Sequence, residues 1–97
     1  MARARPLDDA EIVEALARAP GWARAGDGAL VLRRRLPSAA AAIGFVAAVG
    51  ALAERLGHHP ELRWAYREVE LRLLTHDAGD IVTERDVALM TAIAELP

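Results

Sequence analysis

The sequence predicts an α+β fold: a four-stranded antiparallel sheet with three helices packed on one face, in the order α-β-β-α-β-β-α. Three observations lead there. Apolar residues recur at three- and four-residue steps at the start, middle and end of the chain. Between these stretches lie two pairs of short strand-like segments, the first pair joined by a glycine-rich turn. The 97 residues contain no linker, repeat or low-complexity tract, so 1–97 reads as a single domain.

The first helix is expected to start at Asp8, which can accept from the free amides while Glu11 reaches back; Leu7 and Ile12 stand at the staple positions. Ile12, Val13 and Leu16 form its apolar stripe, and Pro20-Gly21 stops it. Gly26-Asp27-Gly28 then turns a hairpin between residues 22–25 and 29–36. Leu30, Leu32 and Leu36 share one face of its second strand. Arg34 falls on that same face, where an apolar residue is expected, and a sheet edge or subunit contact would accommodate it.

Ser38 caps the second and longest helix. Its expected core face is Ile43, Val46, Val49, Ala53 and Leu56, and Gly57 ends it at the C′ position. Gly44 and Gly50 each cost about 1 kcal/mol relative to Ala, which makes sense if another backbone approaches there. The second strand pair is placed at residues 62–66 and 69–75, the latter alternating apolar and charged positions, with Trp64 and Tyr66 on one face of the former. The third helix starts at Thr83, with Asp86 as capping partner, Val82 and Val87 as the staple, and Val87, Met90 and Ala94 inward.

Composition narrows the function. With no cysteine there is no disulfide framework, thiolate nucleophile or Cys-bearing metal site, and a reducing cytoplasm fits. The basic start is followed by no apolar run, so it does not read as a secretory signal. Residues 39–53 are expected to be too short and too rich in Ala and Gly to span a bilayer. A net charge of −2 gives no reason to expect nucleic acid, Arg33-Arg34-Arg35 notwithstanding. A domain this small leaves much of its chain surface exposed, so self-association is a plausible source of added stability.

All three histidines lie in two short segments. His58-His59-Pro60 leaves the second helix and Thr75-His76-Asp77 leaves the last strand; the hairpin between them can bring both junctions to one end of the molecule. Histidine titrates near neutrality and serves as acid or base at little cost. Glu54 precedes His58 by one helical turn, and with the negative helix end it should favour protonated His58. Pro60 restricts His59 to extended geometry. Taken singly, each segment is an ordinary polar turn or loop, and Thr83 and Asp86 are mainly caps. A three-histidine zinc site is the rival. Neighbouring histidines on an extended segment point to opposite sides, however, and no helical His-x-x-x-His pair is present.

Jointly the motifs say more. Glu54-x-x-x-His58-His59-Pro60-Glu61 is followed by Tyr66, Val69 and Leu73, then Thr75-His76-Asp77-Ala78-Gly79 and Thr83-Glu84-Arg85-Asp86. Upstream stand Leu7-Asp8-Asp9, Gly21-Trp22, Pro37-Ser38, Phe45-Val46, Val49 and Ala51-Leu52-Ala53. Over nearly the whole chain this pattern resembles the pterin-4a-carbinolamine dehydratase family. The family usually runs Thr-His-x-x-Gly-Gly-Leu-Thr into its last helix. Here Asp80 replaces the second Gly and one residue is added, and Gly57 stands before the His pair where Asp or Asn is common.

The resemblance implies an enzyme that removes water from 4a-hydroxytetrahydropterin to give quinonoid dihydropterin, without metal or cofactor. It implies His58, His59 and His76 as catalytic histidines, with Glu54 beside them. It implies pterin contacts from His58, His59, Pro60, Thr75, His76, Asp77 and Ala78. Of the histidines, His58 or His76 would act as acid, and His59 would orient the ring. It also implies a homodimer or homotetramer; a cytoplasmic location, with neither nucleic acid nor membrane as partner, is expected from the composition. Some family members serve instead as dimerisation cofactors or assembly factors, so a non-catalytic interaction module is the alternative.

Overall fold

The computed structural model describes residues 4–97. Its elements are α1 (Asp9–Ala17), β1 (Trp22–Arg24), β2 (Leu30–Arg35), α2 (Ala39–Leu56), β3 (Glu61–Ala65), β4 (Glu68–Leu73), a short 3₁₀ turn (His76–Ala78) and α3 (Glu84–Ala94). The strands form one antiparallel sheet in the order β1-β2-β4-β3, which is the predicted class and element order.

Local chemistry sets the helix ends. Glu11 N donates to Asp8 Oδ1 at 2.8 Å and Asp8 N to Glu11 Oε1 at 3.2 Å, closing the first capping box. Ala41 N donates to Ser38 Oγ at 3.1 Å. At the far end of α2, Gly57 adopts φ +64, its N–H bonds Glu54 O and the next N–H, of His58, bonds Ala53 O. That pair of bonds is a Schellman motif, which needs the left-handed conformation glycine tolerates.

Period-two alternation decides which sheet face is covered. Leu30 and Leu32 of β2 and Val69, Leu71 and Leu73 of β4 are buried beneath the helices. Burying one such side chain contributes about 1.5–3 kcal/mol. The same alternation divides the arginine run. Arg33 and Arg35 point to the open face, directly opposite Glu70 and Glu68, and Arg63 of β3 stands opposite Glu70 from the other side. Adjacent strands there pair arginine with glutamate, so the local run does not become a basic stripe. Arg34 turns to the helix side, where its guanidinium carbon lies 4.7 Å from the Phe45 ring centroid and Nη2 donates to the Pro97 carbonyl at 3.4 Å. A cation over an aromatic ring accounts for a charged residue at that position.

Helix faces differ in part from the expectation. In α2 the buried residues are Ala42, Phe45, Val49 and Ala53, with Val46 partly buried, while Ile43 and Leu56 are exposed. Putting Phe45 inward rotates the helix, and the largest side chain prevails over the smaller branched ones. Val13 of α1 is likewise exposed beside buried Ile12. In α3, Leu89, Met90 and Ile93 fill the core, Val87 is only partly buried and Ala94 is exposed. Gly44 and Gly50 are not sites of close approach within the chain, because an added Cβ meets no atom within 4 Å at either. They lie with Ile43, Ala47 and Ala51 on an exposed side of α2.

The helix also runs on to Leu56, giving 18 residues long and apolar enough to cross a membrane by length and composition. That corrects the expectation from residues 39–53. Here it lies along the sheet against β4 and α3, with its buried side chains in the shared core.

The second hairpin turns one residue earlier than predicted, at 66–67 rather than 67–68. Tyr66 takes φ +58 and leaves the strand, so β3 ends at Ala65 and β4 begins at Glu68. Trp64 and Tyr66 therefore do not form a wall on one strand face. Instead Trp64 Nε1 donates to the Tyr66 carbonyl at 2.7 Å across the turn.

Candidate active site

The two histidine segments are positioned by opposite devices. The Schellman turn at Gly57 reverses the chain just as α2 ends, sending the His58 ring inward and the His59 ring outward; their side chains are 10% and 61% exposed. Beyond Leu73 the chain folds into a short return. Thr75 bridges to Ile81, and Asp80 N donates to the Thr75 carbonyl at 3.1 Å. Gly79 and Asp80 both adopt positive φ. Asp80 thus occupies a left-handed position that glycine would fill without strain and that Asp tolerates better than most residues.

Each imidazole meets a carboxylate. His58 Nε2 lies 2.6 Å from Asp86 Oδ1. His59 Nε2 lies 2.7 Å from Glu54 Oε1. His76 Nδ1 lies 2.6 Å from Asp80 Oδ1, with Nε2 3.9 Å from Glu61 Oε1. One assignment is thereby corrected. Glu54 is the partner of His59, not of His58, because the one-turn spacing holds only while the helix continues, and it ends between them.

Asp86 is the site residue that the sequence presented only as a cap. It is fully buried, and its Oδ2 accepts from Thr75 Oγ1 at 2.8 Å and from Thr83 N at 2.9 Å. Thr83 Oγ1 lies 2.6 Å from Thr75 Oγ1. Asp86 closes the predicted capping box of α3 and, with its other oxygen, holds His58. The capping pattern explained Asp86 completely at the level of sequence, so no further signal pointed to its second partner.

These contacts bring the two segments against each other. Asp86 ties His58 to Thr75, the neighbour of His76, and Glu61 links the residues after His59 to the His76 ring. Thr75 itself is buried with its hydroxyl committed to Asp86 and Thr83, so its side chain reaches the cluster through Asp86. Pro60 and Ala78 are half-buried, and Asp77 is exposed, 3.7 Å from Arg85. Among the described residues, no three of His, Cys, Asp and Glu are grouped so as to hold a metal ion. A groove of about 470 Å³ bounded by Arg33, Arg35, Arg63, Trp64 and Glu68 lies toward the Ala65–Glu68 end of the hairpin. The histidines sit at the other end, beside Glu61 and Leu73, so this groove is not their pocket.

The hydrogen bond to Asp80 holds the His76 pKa above the usual histidine value, and the charges of Asp80, Glu61 and Asp86 act in the same direction. His76 therefore keeps its proton further into the neutral range than a free histidine. Asp80→Asn is expected to bring that pKa back down, read from the His76 ring-proton shifts against pH; an unmoved titration would remove Asp80 as the cause. A raised folded-state pKa stabilises below the unfolded value, and the stabilisation fades as pH rises through the folded value. The wild-type advantage over the variant should thus appear on the acid side and shrink with added salt.

A family model described as pterin 4 alpha carbinolamine dehydratase matches residues 5–96. The chain belongs to that family. This dehydratase-family chain is 46% identical over 90 residues to a Chloroflexus aggregans protein and 48% identical over 90 residues to one from Thermomicrobium roseum, both named for pterin-4-alpha-carbinolamine dehydratase. Each match covers 93% of this chain and 95% of the relative. Among solved structures, the transcriptional coactivator/pterin dehydratase of Brucella melitensis superposes with a TM-score of 0.84 at 36% identity, covering 93% of this chain and 99% of that one. The carbinolamine dehydratase family thus accounts for both the sequence pattern and the fold.

Proposed function

We propose that the protein dehydrates 4a-hydroxytetrahydropterin to quinonoid dihydropterin, with His58, His59 and His76 supplying acid–base catalysis. The observation that carries this reading is the meeting of the His58–His59 turn and the Thr75–His76 turn in a chain of this family, each imidazole with a carboxylate. Breaking the C4a–O bond needs a proton for the departing hydroxyl. Loss of the N5 proton leaves its electron pair to form the N5=C4a double bond, and water departs. His76, kept protonated through Asp80, is suited to be the acid. His59 is exposed on Glu54 and suited to contact the ring from outside. Pro60, Asp77 and Ala78 border the same turns and complete the proposed pterin contacts. Acid–base help of this kind contributes about 10²–10⁴ in rate.

The test is ultraviolet absorbance on mixing purified protein with a freshly generated 4a-hydroxytetrahydropterin, with and without a chelator. Accelerated dehydration that the chelator leaves unchanged is expected. Uncatalysed dehydration would favour an interaction module, and chelator-sensitive turnover would favour a zinc hydrolase type of site.

A homodimer or homotetramer in the cytoplasm belongs to the same proposal. α2 leaves Ile43, Ala47, Gly50 and Ala51 exposed, and β3 is an edge strand carrying exposed Leu62 and Trp64. Apolar surface on both a helix and a free edge suits a second copy. Sedimentation showing only monomer at micromolar concentration would remove that part. The absence of cysteine agrees with a reducing compartment.

A further inference from the structure

With Asp86 as a carboxylate, the hydrogens around it follow from its contacts. Arg85 N donates to Thr83 Oγ1 at 3.2 Å, which leaves that hydroxyl its own hydrogen to give. Thr75 Oγ1 spends its hydrogen on Asp86 Oδ2, so in the 2.6 Å contact between the hydroxyls Thr83 donates and Thr75 accepts. Thr83 N donates to Oδ2 as well. The chain runs one way and ends on Asp86, which only accepts. Its remaining oxygen, Oδ1, therefore takes a hydrogen from His58, and the nitrogen that gives it is Nε2. Burial strengthens this constraint: Asp86 is fully buried and the His58 side chain only 10% exposed, so water is poorly placed to substitute for either partner.

We propose that Asp86 is a positioning residue that locks neutral His58 in the Nε2–H tautomer, leaving Nδ1 as the proton acceptor of the dehydration. This rests on the dehydratase reading and goes beyond it in dividing the labour: His58 is the base, through Nδ1, and His76 is the acid. The N5 proton passes to His58 Nδ1 while the hydroxyl on C4a takes the proton of His76 and leaves as water. The imidazolium formed on His58 then sits against the Asp86 carboxylate, which stabilises it without taking its proton. Thr75 and Thr83 keep that carboxylate from turning, and this gives the buried Thr75 hydroxyl a role that direct contact with substrate does not require.

The test is Asp86→Asn. The amide oxygen can still accept from Thr83 N and Thr75 Oγ1, so the cap and the fold are kept, but the amide nitrogen now faces His58 and donates. Ring ¹⁵N shifts should show neutral His58 as Nε2–H in the wild type and as Nδ1–H in the variant. The kcat should fall at least about 10²-fold with KM changed only a few-fold; the same exchange in a serine-protease triad costs about 10⁴. A wild-type His58 carrying its hydrogen on Nδ1 would overturn the proposal without any variant being needed. So would an Asp86→Asn enzyme with inverted tautomer and kcat within threefold of wild type. A wild type that folds but does not accelerate dehydration fails at the earlier step and takes the dehydratase reading with it.

Discussion

Replacing His58 and His76 together by Ala should reduce dehydration to the uncatalysed rate while the chain stays folded. Each imidazole is asked for about 10²–10⁴. The two act on one elimination, one receiving the N5 proton and the other protonating the hydroxyl, so their losses will not multiply; either single change should cost nearly as much as the pair. The structural cost is uneven. His76 is at the surface and its loss removes an exposed pair with Asp80. His58 is nearly buried, and its loss leaves Asp86 Oδ1 without its donor, a cost of about 1–3 kcal/mol where water does not enter. Circular dichroism and melting of both single variants separate this from catalysis: on the alkaline side, where the pair with Asp80 no longer contributes, His76→Ala should melt as wild type does and still lose its rate. Near-normal turnover in the double variant would end the assignment.

What the sequence disclosed depended on range. Capping boxes, the αL glycine and period-two alternation are decided within a few residues, and Asp8, Ser38, Gly57 and Thr83 all stand where local chemistry puts them. The inward face of α2 depends on what the sheet offers, so Phe45 displaced Ile43 and the period alone could not choose. Tyr66 looked like strand because its side chain suits one, yet the hairpin needed a left-handed residue there. At the site, the two histidine segments were legible as motifs. Their carboxylate partners were not. Glu54 was given to His58 by helical spacing, which stops applying at Gly57, and Asp86 lies 28 residues from His58, beyond any periodicity. Asp80 was visible as a departure from the family pattern, but its hold on His76 comes from the positive-φ turn that only the folded loop displays.

Asp86→Ala should be the most destabilising single change at the site. The carboxylate accepts three hydrogen bonds at zero exposure, and truncation leaves His58 Nε2, Thr75 Oγ1 and Thr83 N without their acceptor. Losing the cap costs about 1 kcal/mol. Each orphaned buried donor adds about 1–3 kcal/mol if nothing replaces the acceptor. Two effects pull the other way. The Thr75 hydroxyl can rotate toward another acceptor, and removing a buried carboxylate recovers its desolvation cost. Truncation of one partner still dominates, because Thr75 and Thr83 are themselves buried whatever Asp86 becomes. A net loss of roughly 2–4 kcal/mol is expected, a large share of the roughly 5–15 kcal/mol typical of a domain of this kind. For a chain of 97 residues that corresponds to a fall in Tm of roughly 10–25 °C. Asp86→Asn should lose less than half as much, since its carbonyl still serves Thr75 and Thr83. A Tm within about 3 °C of wild type for Asp86→Ala would mean that the carboxylate is not the anchor joining α2, β4 and α3. The ordering of the two variants carries the argument. If stability tracks the Oδ2 bonds and turnover tracks the Oδ1 bond, the alanine variant loses both and the asparagine variant loses chiefly the second.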